Sequence, residues 1–426
     1  MKLLIKNATI VDPACDVHAE LDMAIEDGTI SHIGAHLKEE AETVIDAKGK
    51  VLMPGLMDMH VHLREPGRED KETVATGTLA ALKGGVTSLL AMPNTEPAID
   101  TKEHVQLLKG IIGRSASAQV YIAGTLTRGR QGKELADFAA MQEEGIVALT
   151  DDGSSVDDEG LMRNALRLAR DRRLPVICHC EEKTLANGGV VNLGLISTKL
   201  GLRGIPCEAE YKRVERDILL AEEAVCRIHI AHVSCERSLE IIAKAKKRGV
   251  QVTAETAPHY FTLTEDAVSG YDTNKKMNPP LRSTQDKEAI CQALRDGTID
   301  VIASDHAPHT ESEKEVEFDF AEFGVIGLET LLAVSITELL HTKVLSLSEL
   351  VSRLTSNPSA ILGLHKASLK KGCQAELIIV DLHKEWQVTK NSLVSKSKNS
   401  SFLGRRLQGV VEYVILGDRI VHKARH

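Results

Sequence analysis

Apolar residues follow two different patterns along this sequence, and the change between them divides the chain. Residues 1–53 alternate apolar and polar positions in short runs separated by turns, which is typical of β-strands. Asp27-Gly28 stands between two such runs and indicates a hairpin. After about residue 362 the alternation returns in CQAELIIVDL and RRLQGVVEYVILGDRIV. We therefore predict strands at both chain ends.

Between these ends, short apolar runs alternate with longer amphipathic segments. TVATGTLAALKGG predicts a helix that ends at Gly84-Gly85, and DEGLMRNALRLARDRR and SLEIIAKAKKRG have the same helical spacing. The apolar runs are VTSLLAMPN, AQVYIAGT, GIVALTDDG, LPVICHCE, RIHIAHVS, VQVTAETAPHY and IDVIASDHAPH. Repeated strand–helix units predict a parallel sheet, and about eight of them predict a closed (β/α)8 barrel.

The two patterns together predict an α/β fold with three parts. A TIM-like (β/α)8 barrel is expected over residues 54–361. A small β-sandwich is expected from both chain ends, residues 1–53 and 362–426. Within the second end, residues 390–401 are rich in Lys, Ser and Asn and predict an exposed loop.

The strand predicted over Val51–Met59 is followed by His60 and His62. Residues two apart on a strand point to the same side, so the two imidazoles converge while Val61 turns away. Neutral imidazoles in this arrangement suit a divalent metal such as zinc. Arg64 lies on the same side if the extended geometry continues, where its guanidinium suits a substrate carboxylate. A His-x-His pair alone marks a polar strand end more often than a metal site, so the wider pattern decides.

Metal-capable residues also follow most of the other predicted strands. Functional side chains of such barrels lie at the C-terminal ends of the strands. Here the strands end in His60 and His62, Asn94, Asp151-Asp152, His179, His232, His259 and Asp305. Four imidazoles and two carboxylates suffice for two zinc ions that share a carboxylate and a hydroxide. Zinc lowers the pKa of water from about 15.7 to about 7, and Asp305 is a candidate to carry the proton to a leaving nitrogen.

Composition narrows the class of protein. The 426 residues are 42% hydrophobic but only 3% aromatic, so the core rests on Val, Ile, Leu and Ala, as in parallel sheets. A net charge of −9 argues against a nucleic-acid surface. No apolar run approaches the ~18 residues of a membrane span, and no signal peptide is expected. Eight scattered cysteines favour reduced thiols in a cytoplasmic enzyme.

Seven short segments together resemble a known family. They are HVHLREPG (60–67), AMPNTEP (91–97), TDDG (150–153), HCEE (179–182), AHVS (231–234), NPPLR (278–282) and ASDHAPH (303–309). They are similar to segments of the dihydroorotases of the amidohydrolase superfamily, and more narrowly of the bacterial class I enzymes. The resemblance extends over essentially the whole chain, and HLREPG combined with NPPLR and DHAPH is its most specific part.

The resemblance implies a role for each matching residue. The implied metal residues are His60 and His62 for one zinc ion, His179 and His232 for the other, Asp152 as the bridge and Asp305, which is also the general acid/base. The implied substrate residues are His62, Arg64, Asn94 and His309 at the carboxylate end and Asn278 with the Phe323-Gly324 backbone at the pyrimidine ring. Asp151 stays a less favoured alternative to Asp152, and Glu322 stands where proline is more usual.

The implied reaction is the reversible cyclisation of N-carbamoyl-L-aspartate to L-dihydroorotate and water in pyrimidine biosynthesis. In the hydrolytic direction, zinc polarises the ring amide, hydroxide attacks it, and Asp305 passes the proton to the ring nitrogen. The family also makes a homodimer plausible and leaves open a complex with aspartate transcarbamoylase.

Two other functions stay open. Hydantoinases, dihydropyrimidinases and allantoinases share the fold, but many of these relatives bridge their metals with a carboxylated lysine, and GIVALTDDG offers none. An inactive scaffold homologue that partners aspartate transcarbamoylase typically loses metal ligands, whereas this chain keeps each expected one. The charged run 310–324 is either a solvated loop or a mobile lid over the substrate.

Other histidines and cysteines near these segments are assigned to packing. Cys178 and Cys180 flank a predicted ligand on its strand, so they face away from it. His229 is expected in the core, His259 beside the site without metal contact, and His306 at most in a role that orients a neighbour.

Overall fold

The computed structural model describes residues 2–364 and 368–424. The strands in this part are β1 Lys2–Asp12, β2 Val17–Glu26, β3 Thr29–Gly34, β4 Thr43–Asp46, β5 Val51–Pro54, β6 Leu56–Val61, β7 Val86–Ala91, β8 Gln119–Gly124, β9 Ile146–Leu149, β10 Val176–Cys178, β11 Val191–Asn192, β12 Gly204–Ile205, β13 Ile228–Ile230, β14 Val252–Thr256, β15 Val301–Ile302, β16 Glu376–Gln387, β17 Arg406–Leu416 and β18 Arg419–Lys423. They fall into two large sheets and the short pair β11–β12.

The α-helices of the described residues are α1 Val74–Lys83, α2 Lys102–Ser115, α3 Phe138–Glu143, α4 Glu159–Asp171, α5 Lys183–Ala186, α6 Leu195–Leu200, α7 Glu208–Ala224, α8 Glu236–Lys247, α9 Pro258–Thr262, α10 Thr284–Asp296, α11 Glu311–Lys314, α12 Leu331–Ser335, α13 Leu347–Leu354 and α14 Ser356–Ile361. Short 3-10 turns lie at Pro13–Cys15, Arg128–Arg130, Glu265–Val268, Thr273–Lys275 and Lys390–Ser392, and a π-helical turn, Ile336–Leu340, continues α12. The predicted helices α1, α4 and α8 are confirmed. None of the described helices has the length and apolar character required to cross a membrane.

Eight described strands form the barrel, in the order β6-β7-β8-β9-β10-β13-β14-β15. Every neighbouring pair is parallel. The two edges meet through a parallel bridge between Val61 and His306, where the His62 N–H donates to the His306 carbonyl over 2.9 Å. The predicted (β/α)8 barrel is confirmed, and its closure brings the C-terminal ends of β6 and β15 side by side.

The second sheet combines both chain ends in the order β18-β17-β16-β5-β1-β2-β3, with β4 beside β1. Its strands share one apolar core, in which Ile5, Ile25 and Leu52 pack with Leu377 and Ile379. An antiparallel bridge between Thr29 and Gln374 joins the start of β3 to the chain just before β16, so the sheet curls around this core. The predicted hairpin is also present, since Asp27-Gly28 joins β2 to β3.

The prediction of one strand over Val51–Met59 was wrong, because the chain changes sheets inside it. β5 pairs with β16 in the end sheet, whereas β6 is the first barrel strand. Gly55 separates them, and a Cβ there would lie 2.1 Å from Thr87 Oγ1. Both strands are buried, and residues 51–57 on either side of the break are apolar apart from Gly55, so the sequence hides it.

The prediction that residues 390–401 form an exposed loop was also wrong. Lys390 and Asn391 are exposed, but five polar residues after them are buried: Ser395, Ser397, Asn399, Ser400 and Ser401. Three of these side chains have partners in the barrel: Ser395 donates to Glu72, Asn399 donates to Ala307, and the Ser397 hydroxyl donates to the Lys71 carbonyl over 2.7 Å. A polar composition therefore marks hydrogen bonding here and not exposure to solvent.

Candidate active site and metal centre

Four histidines and two aspartates converge at the C-terminal end of the barrel. They are His60 at the end of β6, His62 just after it, Asp152 after β9, His179 after β10, His232 after β13 and Asp305 after β15. All six side chains are buried. The structure thus brings together every residue that the sequence predicted as a metal ligand.

Asp152 lies at the centre of this cluster. Its Oδ1 is 3.3 Å from His60 Nε2, 3.6 Å from His232 Nε2 and 3.9 Å from His179 Nδ1. Its Oδ2 is 3.5 Å from His62 Nε2. Burial favours the neutral acid, but the surrounding imidazoles outweigh it and hold the pKa of Asp152 well below its usual value. Asp152 is therefore an anion shared by four imidazoles.

Asp305 approaches the cluster from the other edge of the barrel. Its Oδ1 lies 3.6 Å from both His60 Nε2 and His62 Nε2. Burial raises the pKa of Asp305, but its bond with His62 and the other imidazoles outweigh that effect and lower it. Asp305 and His232 have φ of 48° and 35°, the left-handed region that non-glycine residues rarely occupy. Such backbone strain is typical of functional sites.

Hydrogen bonds on the outer side of the rings set the histidine tautomers. His60 Nδ1 donates to Glu255 Oε1 over 2.6 Å, and His62 Nδ1 donates to Asn94 Oδ1 over 2.8 Å. Because each ring carries its proton on Nδ1, the Nε2 lone pairs of His60 and His62 face the two aspartates. This is the arrangement that metal-binding histidines use.

The donor set fits divalent cations. The ligand atoms of His60, Asp152 and His232 lie within 4.8 Å of one another, as do those of His60, His62 and Asp305. Buried His60 Nε2 and Asp152 Oδ1 have no hydrogen-bond partner among the described residues, although buried polar atoms normally do. A lone pair and a carboxylate oxygen left unsatisfied beside each other are satisfied together by a shared cation.

Arg64 reaches the cluster by a different route from the predicted one. The strand ends at Val61, and Arg64 has a left-handed φ of 62°, so the extended geometry does not continue. Its Nε nevertheless donates to the Pro308 carbonyl over 3.1 Å, and its Nη2 lies 3.3 Å from His309 Nε2. Burial lowers the pKa of Arg64 to about 10, so the guanidinium stays charged at neutral pH.

His309 is fixed on both sides of its ring. Lys71 Nζ donates to Nδ1 over 3.1 Å, and Nε2 donates to the Phe323 carbonyl over 2.8 Å. Burial and the neighbouring cations lower the pKa of His309, so the ring is neutral. Gly324 has a φ of 121°, and a Cβ there would lie 2.6 Å from the Ala307 Cβ. The close approach of the two segments therefore requires glycine.

Asn278, predicted to contact the substrate ring, is connected through Glu181 to His179, a predicted metal ligand. Its Nδ2 donates to Glu181 Oε1 over 3.0 Å, and Glu181 Oε2 lies 3.9 Å from His179 Nε2. The predicted substrate residues Arg64 and His309 are therefore grouped near Phe323, whereas Asn278 is linked through Glu181 to His179.

The charged run 310–324 is not a solvated loop throughout. Lys314 is only 4% exposed and donates to the carbonyls of Glu322 and Gly324 over 2.7 and 3.1 Å. The N–H of Glu322 donates to the Glu313 carbonyl over 3.2 Å, a bond that proline cannot form. Phe320, in contrast, is 79% exposed. That the run closes over a substrate stays a prediction.

Asp151, the alternative bridge, faces away from the histidines. Its Oδ1 accepts from the backbone N–H groups of Leu126 and Thr127 over 2.8 and 3.1 Å. Cys180 also faces elsewhere, with its Sγ 3.8 Å from Asp217 Oδ2, and Cys178 is buried with Asp217 among its charged neighbours. These contacts agree with the predicted packing role of both cysteines.

Three further histidines surround the cluster. His229 is buried, with its Nε2 3.2 Å from Glu255 Oε2. Burial lowers the pKa of His259 to about 4. His306 Nδ1 accepts from the Gly327 N–H over 3.2 Å. None of the three belongs to the two groups of facing ligand atoms found among the described residues, and neither does His179, so their roles stay predictions.

Comparison with known proteins decides the family. A model described as dihydro-orotase-like matches residues 49–238. A dihydroorotase of Elusimicrobium minutum is 50% identical over 420 residues, which cover 99% of this chain and 97% of that protein. A dihydroorotase of Pelotomaculum thermopropionicum is 50% identical over 425 residues, which cover 100% of this chain and 99% of that protein. The chain belongs to the dihydroorotase family.

Solved structures with the same fold include other cyclic amidases. An L-hydantoinase (dihydropyrimidinase) from Arthrobacter aurescens has a TM-score of 0.88 at 26% identity and covers 99% of this chain and 96% of its own. A D-hydantoinase has a TM-score of 0.85 at 25% identity, covering 99% and 95%. The fold is therefore shared with hydantoinases, while the higher sequence identity assigns this chain to the dihydroorotase family.

Sequence reasoning missed Glu255. Its carboxylate lies against the outer side of the His60 ring, away from the two aspartates. Glu255 bonds His60 and lies beside His229. Two positively polarised rings overcome the effect of burial and lower its pKa, so it stays ionised. A signal was present, because Glu255 is a charged residue inside a predicted barrel strand, β14, which the structure buries. Buried acids of this kind are rarely unpaired.

Replacing Glu255 by glutamine is expected to weaken the binding of a divalent cation to the cluster, assayed with zinc, by about 10- to 100-fold, because the His60 tautomer loses its anionic acceptor. Competition with a chromophoric chelator measures the affinity. Glu265→Gln is the matched control, since Glu265 accepts from Asn192 away from the cluster over 2.7 Å. Equal zinc affinities of the two variants would contradict the assigned role.

Proposed function

We propose that this protein catalyses the reversible interconversion of L-dihydroorotate and N-carbamoyl-L-aspartate with two zinc ions. The observation that carries the proposal is the position of Arg64 and His309 beside the cluster centred on Asp152. This position supports Arg64 and His309 as the binding group for a substrate carboxylate beside the proposed metal ligands. Simple cyclic amides without a carboxylate do not need such a group.

The cluster supplies ligands for two metal ions. His60, His62 and Asp305 would hold one, and His179 and His232 the other, with Asp152 between them. When bound, the metals supply Lewis acidity and lower the pKa of water from about 15.7 to about 7. Tetrahedral zinc suits this mixture of imidazole and carboxylate ligands.

Arg64 orients the substrate for the reaction. Its planar guanidinium is suited to a two-pronged bond with the substrate carboxylate. Asn94 and His309 complete this end of the site, and His62, itself a proposed metal ligand, connects it to the cluster through its bond to Asn94. Fixing the carboxylate converts attack on the ring into a reaction of pre-aligned groups, which lowers its entropic cost.

Asp305 moves the proton. In hydrolysis a bond forms between the attacking oxygen and the ring carbonyl carbon, and the bond from that carbon to the ring nitrogen breaks. Asp305 accepts the proton of the attacking group and delivers it to the departing nitrogen. Asn278 and the Phe323-Gly324 backbone contact the ring, and the same steps reversed give cyclisation.

Assembly is a separate part of the proposal. A homodimer and an association with aspartate transcarbamoylase both stay predictions that follow from membership of the family. Neither is needed for the site, because every proposed ligand and substrate residue comes from one chain.

A substrate panel tests the proposed reaction. Ring opening of L-dihydroorotate, dihydrouracil and hydantoin is followed in parallel as the loss of ultraviolet absorbance. We expect turnover of dihydroorotate and little turnover of the two rings without a carboxylate. Hydantoinase activity is the second candidate, favoured by the shared fold. Faster opening of hydantoin or dihydrouracil would assign the protein to that group instead.

A further inference from the structure

We infer that Asn399, in the buried part of the segment between β16 and β17, is a positioning residue for the substrate-carboxylate end of the site. The inference rests on the proposed function and extends it to a residue that neither the motifs nor the proposed mechanism include. Asn399 is 5% exposed.

Its side chain joins two segments that face the substrate. The Oδ1 accepts from the His309 N–H over 3.2 Å. The Nδ2 donates to the carbonyls of Ala307 and Gly324, each over 3.2 Å. The amide thus uses its acceptor and both donors, and it holds the DHAPH segment against Gly324.

The backbone and neighbours of Asn399 support the same contact. Its carbonyl accepts from the Ile326 N–H over 3.1 Å. Two residues earlier, the Ser397 hydroxyl donates to the Lys71 carbonyl over 2.7 Å, and Lys71 Nζ donates to His309 Nδ1. The segment therefore reaches His309 by two paths, through its backbone amide and through Lys71.

The chemistry of the amide explains why asparagine is suited to this place. Buried, it must offer one acceptor to an N–H and two donors to two carbonyls, and the planar carboxamide does so with one short side chain. Aspartate would face both carbonyls with oxygen atoms. Leucine has a similar volume but would leave the N–H and both carbonyls unsatisfied, which is costly in a buried position.

Kinetics of Asn399→Leu test the inference. We expect KM for L-dihydroorotate to rise about tenfold or more while kcat changes little, because binding contacts shift and the proton-transfer group does not. Ser401→Ala is the matched control, since Ser401 is 1% exposed in the same segment and its hydroxyl has no hydrogen-bond partner in the part of the chain that the structure describes. If Asn399→Leu fails to fold, Asn399→Ser removes the same bonds with a smaller change in polarity.

Hydrogen exchange of the His309 amide gives a readout independent of the substrate. Faster exchange in the Asn399 variant than in Ser401→Ala, together with the KM effect, would support the inference. Equal exchange and equal KM in the two variants, or a loss of kcat at unchanged KM, would overturn it. If the unmodified protein leaves dihydroorotate intact, the proposed function fails, and the exchange rate alone decides whether Asn399 positions His309.

Discussion

Asp305→Asn is expected to lower kcat by about 10²- to 10⁴-fold in both reaction directions, the usual contribution of a general acid/base. Asparagine keeps the shape of the side chain but cannot accept and return a proton. Initial rates with L-dihydroorotate and with N-carbamoyl-L-aspartate measure the effect at saturating zinc. Zinc content is determined on the same samples, because Asp305 is also a proposed ligand.

Asp300→Asn provides the control from the same part of the chain. Asp300 accepts from Lys246 and from the Ala254 N–H over 2.6 and 2.8 Å, away from the imidazoles. We expect it to keep kcat. An Asp305→Asn variant that holds zinc and retains most of its kcat would show that the proton takes another path.

Arg64→Lys is expected to lower kcat/KM by about 10- to 100-fold, mainly through KM. Charge-assisted hydrogen bonds contribute about 1.5–3 kcal/mol, and lysine keeps the charge but loses the planar fork. Steady-state kinetics with L-dihydroorotate measure the change. Arg68→Lys is the control, because Arg68 lies on the same loop and pairs with Asp70 and Glu313. Unchanged kinetics of Arg64→Lys would refute a carboxylate-binding role.

The barrel and the convergence of six histidine and aspartate side chains were predictable from sequence because both follow from a local repeat. Strand–helix alternation specifies the fold, and a parallel barrel gathers the ends of its strands at one face. His179 and Asp305 could therefore be placed together although they are distant in sequence. The family motifs added the residues proposed to bind substrate, including Asn278 and His309, which no periodicity indicates.

Features that depend on contacts between distant segments could not be predicted in the same way. The break at Gly55 was hidden because the strands on both sides are fully buried and equally apolar. The segment 390–401 has the composition of an exposed loop. Asn399 in this segment is nevertheless buried, and it forms hydrogen bonds with His309 and Ala307, about ninety positions away. Glu255 is a different case, since a charge within a predicted barrel strand was a visible signal that the side chain is paired, and the structure shows that the partner is His60.

Measuring zinc content and the rate of dihydroorotate ring opening on the same protein tests most directly the claim that the protein is a zinc-dependent dihydroorotase. Purified protein is assayed for zinc and for loss of the ultraviolet absorbance of L-dihydroorotate, then treated with a chelator and reconstituted with zinc. The account predicts bound zinc, turnover that disappears with the chelator, and turnover that returns with zinc. Turnover that persists after complete removal of metal would contradict it, as would zinc-loaded protein that leaves dihydroorotate intact.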